Sequence, residues 1–205
     1  MSKIPIITID GLSGSGKGTV SKMLCTELGW NILDSGALYR TLTFLIEKKG
    51  IDIDDFIHKK DEFLREFDVS FQVGSPGEPV SVFLNQEDIT ELVRTEKIAE
   101  KTSAFSSLKT IRDFIRPCQR AFKRSPGLIA DGRDMGTVIF PEADLKIYLT
   151  ASLEERAKRR EIQLKRLGTK VNMRTLLEEL EARDKKDIER DLSPCLLYTS
   201  PSPRD

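Results

Sequence analysis

The segment Gly11–Thr19, with the sequence GLSGSGKGT, constrains this chain more than any other stretch. It follows the apolar run Ile4–Ile9, which predicts a buried parallel strand. It precedes apolar residues at helical spacing, namely Val20, Met23, Leu24 and Leu28. Gly29 predicts the end of that helix. In such a strand–loop–helix unit, the loop N–H groups and the helix N-terminus face an anion, and an exposed Lys17 adds a positive charge. The segment therefore predicts a binding site for a nucleotide polyphosphate.

Length and composition restrict the remaining possibilities. A chain of 205 residues accommodates one α/β domain with an insertion. The formal net charge of zero argues against a surface dedicated to nucleic acid or to an anionic membrane. His58 is the only histidine, which excludes His-based metal sites and Ser-His-Asp triads. The three cysteines lack CxxC spacing, which is typical of reduced thiols in a cytoplasmic protein.

A second strand–helix unit follows the first. The apolar run Trp30–Leu33 predicts a strand, and Asp34 or Ser35 can cap the next helix, which ends near Gly50. Arg40 lies one turn into this helix, beside the predicted phosphate loop. Two interpretations of Arg40 stay open, a ligand for a second anion and a solvated surface residue.

The spacing of apolar residues changes from helical to alternating after a predicted helix over residues 54–67. Val69, Phe71 and Val73 alternate with polar residues, and so do the apolar positions after the turn at residues 74–77, which predicts an antiparallel hairpin. We predict that residues 63–95 form an insertion, either as decoration or as a wall over a second substrate. Two helices are predicted across residues 95–123, with a break at residues 105–107.

Two strands and a basic segment complete the pattern. Strands are predicted at residues 127–130 and 145–149, and Asp131 at the end of the first could hold Mg²⁺ through water or be a turn aspartate. Ser152 predicts the start of a helix that continues to Arg166. Residues 156–174 contain one acid, Glu161, and the basic residues Arg156, Lys158, Arg159, Arg160, Lys165, Arg166, Lys170 and Arg174. This bias in sign favours a lid over a triphosphate rather than a solvated helix pair.

Four segments together resemble bacterial cytidylate kinases over residues 4–194: GLSGSGKGT, LDSGALYR, GLIADGRDMGTVIFPEADLKIYLTAS and RDKKDIER. Gly18 departs from the general GxxxxGK[ST] pattern, and the resulting GKGT is similar to the nucleoside monophosphate kinase branch. The resemblance implies an α/β fold, the three-layer P-loop NTPase fold. It further implies a parallel core sheet, a small antiparallel NMP-binding insertion and a helical lid within one domain over residues 1–194.

The resemblance also implies an activity and its residues. The family transfers the γ-phosphoryl group of ATP, with Mg²⁺, to CMP or dCMP, and its members are monomers. The implied catalytic residues are Lys17, Asp131, Arg156, Arg159 and Arg160. The implied ATP-binding residues are Gly11, Leu12, Ser13, Gly14, Ser15, Gly16, Lys17, Gly18 and Thr19. The implied metal-site residues are Thr19 and, through water, Asp131. The implied CMP-binding residues are Ser35, Arg40 and Arg133 for phosphate, Ser103, Arg112 and Asp134 for cytosine, and Arg183, Asp187 and Arg190 for ribose and phosphate.

The ending departs from the family pattern. Residues 195–205, with the sequence CLLYTSPSPRD, match neither the last strand nor the closing helix of the family, because their prolines interrupt both. We predict that these residues are an unrelated or disordered tail, and that one edge of the core sheet is left open. Three alternatives to the leading hypothesis remain: another small P-loop kinase acting on AMP, UMP or shikimate, a nucleotide-dependent switch, and an inactive truncated member of the family.

Overall fold

The computed structural model describes residues 3–75, 78–166, 172–189 and 192–195. Within these ranges the strands are β1 (Ile6–Asp10), β2 (Asn31–Asp34), β3 (Val69–Gln72), β4 (Ser81–Leu84), β5 (Glu87–Asp88), β6 (Leu128–Gly132) and β7 (Leu145–Tyr148). The α-helices are α1 (Lys17–Leu28), α2 (Ser35–Lys49), α3 (Ile53–His58), α4 (Lys60–Glu66), α5 (Thr90–Val93), α6 (Glu96–Phe105), α7 (Lys109–Arg120), α8 (Leu153–Arg166) and α9 (Met173–Glu189). A π-helical turn spans Met135–Ile139.

The core sheet is parallel, as predicted, with the strand order β2-β6-β1-β7. Its register pairs Asp34 with Asp131 and Asp10 with Gly132, so the carboxyl ends of β2, β6 and β1 lie side by side. Parallel strands bring the loops that follow them to a common edge of the sheet. The glycine-rich loop, the start of α2 and the segment after β6 therefore meet at one edge.

Alternation along the strands produces three layers. Leu33 and Leu128 project into a cluster that contains Leu38 of α2, whereas Ile32 and Ile129 project into a cluster on the α1 side. These side chains are buried on both faces of the sheet. Full burial of one such side chain stabilises a fold by roughly 1.5–3 kcal/mol. The α/β three-layer prediction is confirmed.

The face that α1 buries differs from the apolar face that the sequence predicts. Met23 is 67% exposed and Leu28 is 42% exposed, whereas Ser21 and Cys25 face the sheet. The cause is the rotation of the helix, because the loop brings Lys17 inward and places residues 17, 21 and 25 on the same face. The buried face is therefore formed by Lys17, Ser21 and Cys25, while the partly buried Val20 and Leu24 also pack against the cluster on this side of the sheet.

The predicted helix over residues 54–67 is two helices, α3 and α4, separated at Lys59. Phe56 and Phe63 are fully buried, and their ring centroids lie 5.0 Å apart in an edge-to-face contact. Seven residues of continuous helix would separate them by about 10.5 Å along the axis. The ring contact therefore requires the break.

The predicted hairpin is present, with β3 antiparallel to β4, and the short strand β5 extends it. Helices α6 and α7 match the prediction for residues 95–123. Asp34 caps α2 by accepting a hydrogen bond from the Ala37 N–H at 2.9 Å, and Ser152 caps α8 through the Glu155 N–H at 3.2 Å. Among the described residues, no helix combines the length and the apolar character needed to cross a bilayer.

Candidate active site

The glycine-rich loop adopts a backbone that other residues cannot follow. Gly11 has φ +145°, and a Cβ atom built on it would lie 2.2 Å from the carbonyl oxygen of Leu149. Gly16, directly before α1, has φ +102°. Glycine alone reaches such angles without strain. The loop thus brings its backbone N–H groups and the N-terminus of α1 towards one point, which is an arrangement that binds phosphate.

Lys17 and Asp131 form the charged centre beside this loop. Lys17 is 6% exposed, which corrects the expectation of an exposed lysine, and its Nζ donates to the Leu12 carbonyl at 2.8 Å. The cause is the path of the glycine-rich loop, which directs Lys17, the first residue of α1, towards the sheet. Burial lowers the pKa of Lys17 to about 8, with further lowering by Arg133, while Asp131 opposes the shift. Burial likewise raises the pKa of Asp131 to about 7, and the Lys17 charge opposes that shift.

A cleft of about 220 Å³ opens at the loop. Its lining includes Lys17 and Asp131 together with all of the predicted CMP-binding residues that are described, namely Ser35, Arg40, Ser103, Arg112, Arg133, Asp134, Arg183 and Asp187. Arg190 lies outside the described residues. The predicted insertion over residues 63–95 contributes Val93 and Arg94 to this lining.

A buried ion pair lies at the inner end of the cleft. Nη1 of Arg112 donates to Oδ2 of Asp134 at 3.0 Å, and each side chain is 6% exposed. The Arg112 guanidinium also lies over the ring of Tyr39, 5.8 Å from its centroid. Nε of Arg112 has no hydrogen-bond partner among the described residues. A planar ligand with both donor and acceptor atoms could satisfy these groups.

The outer part of the cleft carries excess positive charge. Nε of Arg133 donates to Asp187 at 2.9 Å. The pKa of Arg183 is lowered by burial and then by Arg133, and that of Arg40 is lowered by burial and then by Arg183. Mutual repulsion of this kind is relieved by a polyanionic ligand. This part of the cleft therefore suits a phosphate group.

The three predicted lid arginines lie in different surroundings. Arg156 is 4% exposed and is paired with Asp184 at 2.5 Å, and its Nη1 donates to the Ser13 carbonyl at 3.1 Å. Arg159 lies against the loop, where Nη1 donates to the Ser15 carbonyl at 3.0 Å. Arg160 instead forms an ion pair with Glu96 at the start of α6. Residues 167–171 of the predicted lid lie outside the described ranges.

Asp10 is a buried carboxylate that the sequence analysis did not select. It accepts hydrogen bonds from the backbone N–H groups of Met135 at 2.9 Å and Gly136 at 2.8 Å. Burial raises the pKa of Asp10 to about 6, and these two bonds oppose the shift. An aspartate that ends an apolar strand directly before a phosphate loop is the signal that could have identified it.

Gln119 was also missed. It is 1% exposed, and its Nε2 donates to Oγ of Ser35 at 2.8 Å. Its signal lies in the spacing, because Gln119 follows Ile111 and Ile115 on the same buried row of α7. A polar residue in an apolar row indicates a specific buried contact.

Within the described ranges, no cluster of three His, Cys, Asp or Glu side chains is arranged to hold a metal ion by itself. Two carboxylates that line the cleft, Asp34 and Asp131, are register partners at adjacent strand ends. Mg²⁺ is typically held by one or two carboxylates together with waters and substrate phosphates. This donor set therefore fits a Mg²⁺ ion that a nucleotide helps to hold. Thr19 is exposed in the first turn of α1.

A phosphate-binding loop at the carboxyl edge of a parallel sheet, next to an arginine-lined acceptor cleft, defines a P-loop kinase. The sequence profile of the family "Cytidylate kinase" matches residues 7–200. The cytidylate kinase of Pseudomonas putida (strain W619) is 48% identical over 197 residues, which cover 94% of this chain and 84% of that relative. That of Stutzerimonas stutzeri (strain A1501) is 48% identical over 191 residues, which cover 93% and 83%. The chain belongs to the cytidylate kinase family.

Two solved structures were also compared. A gluconokinase from Sinorhizobium meliloti 1021 superposes with a TM-score of 0.38 at 14% identity, covering 96% of this chain and 84% of that one. TT1252 from Thermus thermophilus superposes with a TM-score of 0.42 at 20% identity, covering 98% and 91%. Superpositions at these scores add nothing to the family assignment.

Proposed function

We propose that this chain transfers the γ-phosphoryl group of ATP to the phosphate of CMP or dCMP, which gives ADP and the nucleoside diphosphate. The proposal rests on one observation, which is that the predicted site residues converge on a single cleft. Residues selected from separate sequence motifs line one cleft, and that cleft also contains Lys17 and Asp131. Curated relatives at 48% identity carry the name of the same activity.

On the donor side, the backbone of residues 11–19 and Lys17 bind the ATP phosphates. Lys17 supplies positive charge where the γ-phosphoryl group leaves ADP, and its burial strengthens that interaction. Arg159 is the lid arginine that lies against the loop, so we assign it to the triphosphate. Arg156 orients the loop and the lid through Ser13 and Asp184, and Arg160 approaches the nucleotide only if it leaves Glu96.

On the acceptor side, Ser35, Arg40 and Arg133 hold the phosphate of CMP. Its oxygen is thereby aligned with the γ-phosphorus, and alignment of this kind supplies much of the rate of phosphoryl transfer. Arg183, Asp187 and Arg190 bind the ribose and the phosphate. Bound Mg²⁺ would be held through water by Asp131, with Thr19 nearby, and would supply charge neutralisation between the phosphates.

Cytosine recognition is assigned to Ser103, Arg112 and Asp134. The Asp134 carboxylate can accept from the exocyclic amine of cytosine, and Arg112 can donate to its carbonyl and ring nitrogen. Uracil presents a carbonyl in place of that amine and leaves buried groups unpaired, which gives selection a physical source.

We further propose that the enzyme is a cytoplasmic monomer whose kinase domain spans residues 1–194. The insertion over residues 63–95 and the lid over residues 156–174 belong to this domain, and residues 195–205 form a tail. Cys195 departs from the predicted disordered tail, because it is 3% exposed and its N–H donates to the Asp187 carbonyl at 2.8 Å, so the packed part of the chain includes residue 195.

The test is a coupled ADP-release assay on this chain with CMP, dCMP, UMP and AMP. We expect CMP and dCMP to be the preferred acceptors. Preference for AMP or UMP would indicate a different P-loop kinase, and ATP turnover independent of any acceptor would indicate a switch. A chain that binds CMP without turnover would be an inactive member of the family.

A further inference from the structure

The contact between Gln119 and Ser35 restricts which group can accept a hydrogen bond from the Ser35 hydroxyl. Nε2 of Gln119 donates to Oγ of Ser35 at 2.8 Å, in surroundings where Gln119 is 1% and Ser35 is 4% exposed. A hydroxyl oxygen that accepts a hydrogen bond keeps its own proton for a different partner. Among the described residues, Gln119 Nε2 is the one hydrogen-bond partner of Ser35 Oγ, and Ser35 lines the acceptor cleft.

The position of Ser35 directs that proton towards the cleft. Ser35 is the first residue of α2, directly after the capping residue Asp34, so its side chain stands at the positive end of the helix. Arg40 and Arg133 line the same cleft. The hydroxyl proton is thus available where the cleft carries its excess of positive charge.

The carbonyl oxygen of the Gln119 side chain indicates that this residue does not serve to stabilise the fold. Its Oε1 is buried and has no hydrogen-bond partner among the described residues. An unsatisfied buried acceptor costs free energy, and an apolar residue of similar shape would avoid that cost. Within the described part of the chain, the one hydrogen bond of this side-chain amide is to Ser35, a residue of the acceptor cleft.

We propose that Gln119 is a positioning residue for the acceptor phosphate. By donating to Ser35 Oγ, it forces the Ser35 hydroxyl to act as a donor, and the hydroxyl then binds a phosphate oxygen of the acceptor nucleotide. Gln119 itself does not contact the nucleotide. This inference rests on the proposed function only for the identity of the acceptor as CMP.

A double-mutant cycle tests the proposal by calorimetric binding of CMP, which requires no turnover. Gln119→Leu removes the amide at similar volume, and Ser35→Ala removes the hydroxyl. We expect each change alone to weaken CMP binding about five- to tenfold, because a hydrogen bond to a charged group is lost or misdirected. The double variant should bind no more weakly than Ser35→Ala alone, because Gln119 acts only through Ser35.

Cytidine is the matched control ligand, since it lacks the phosphate. Its affinity should be the same in the native chain and in Gln119→Leu, whereas a purely structural role would weaken both ligands alike. Thermal melts establish that each variant folds, and Gln119→Met replaces the leucine variant if that one does not.

Three results would overturn the inference. The first is that Gln119→Leu weakens CMP binding by the same factor in the native chain and in the Ser35→Ala variant. The others are that Gln119→Leu weakens the binding of cytidine as much as that of CMP, or that it does not weaken CMP binding at all. Failure of the kinase proposal is a separate result, in which the native chain does not release ADP with CMP although the cycle still shows coupling in CMP binding.

Discussion

Removal of the Asp134 carboxylate should strongly destabilise the fold. Asp134→Ala leaves the Arg112 guanidinium without its counter-ion at a position where both side chains are 6% exposed. Nε of Arg112 already lacks a partner among the described residues, so little else offsets the charge. Breaking a buried ion pair from one side costs about 3–5 kcal/mol. That is a large part of a total stability that typically lies at about 5–15 kcal/mol.

Equilibrium unfolding in urea measures this loss, and Asp113→Ala is the matched control. Asp113 pairs with Lys109 on the same helix at 2.5 Å, but the two side chains are 43% and 74% exposed. Exposed pairs of this kind contribute little because water screens them. We therefore expect the urea midpoint of Asp113→Ala to stay close to that of the native chain.

A third variant separates stability from recognition. Arg112→Met with Asp134→Leu removes both charges, and replacement of a buried pair by apolar residues is often neutral or stabilising. The double variant should therefore recover most of the stability lost by Asp134→Ala, yet it should not regain the preference for CMP over UMP. Loss of less than about 1 kcal/mol in Asp134→Ala would refute the energetic reasoning. A retained CMP preference in the double variant would remove the pair from base recognition.

Three further predictions follow from the loop and from β1. Lys17→Ala should abolish ADP release without lowering the melting temperature, because burial of the charge disfavours the folded state; turnover at the native rate would contradict its role. The pKa of Asp10 is about 6 in the folded state, against 3.8 for an unperturbed aspartate. The protonated form is therefore favoured by folding, so the stabilising contribution of Asp10 is present below pH 4 and is lost as the pH rises through 6. The stability difference between the native chain and Asp10→Asn should fall by about 3 kcal/mol over that window, and a flat difference in urea unfolding would contradict the shift. Gly11→Ala should disrupt the loop, since its Cβ would lie 2.2 Å from the Leu149 carbonyl oxygen, whereas Gly29→Ala, with φ +64° and open space, should cost about 1 kcal/mol; equal unfolding midpoints would refute the steric argument.

Local pattern was enough to predict most of the fold. The strand, the glycine-rich loop and α1 follow from adjacent residues, because turn chemistry and apolar spacing act over short distances. The same holds for the hairpin over β3 and β4. The cap of α2 was predicted only as Asp34 or Ser35, and the structure shows that it is Asp34. The rotation of α1 could not be predicted in this way, since it depends on Lys17 being drawn inward by the loop.

The candidate site was predictable as a set of residues but not as a set of contacts. Arg112 and Asp134, which are predicted to bind CMP, both line the cleft, yet nothing in their sequence positions indicates that they pair with each other. The ion pair between Arg160 of α8 and Glu96 of α6 likewise joins two residues that are 64 positions apart in the sequence. Contacts of this kind depend on how the layers pack, and local spacing carries no information about it.

The two halves of the site are joined through a single strand. Gly11, which begins the phosphate loop, directly follows Asp10 at the end of β1. Asp10 in turn accepts hydrogen bonds from the N–H groups of Met135 and Gly136, which directly follow Asp134, a residue that we propose binds the acceptor. A displacement of β1 would therefore move the donor loop and the acceptor loop together. Phosphoryl transfer requires both substrates to be aligned at the same moment. Asp10 couples the positions of the two loops, because it is bonded to Gly11 in the chain and accepts hydrogen bonds of 2.9 and 2.8 Å from Met135 and Gly136.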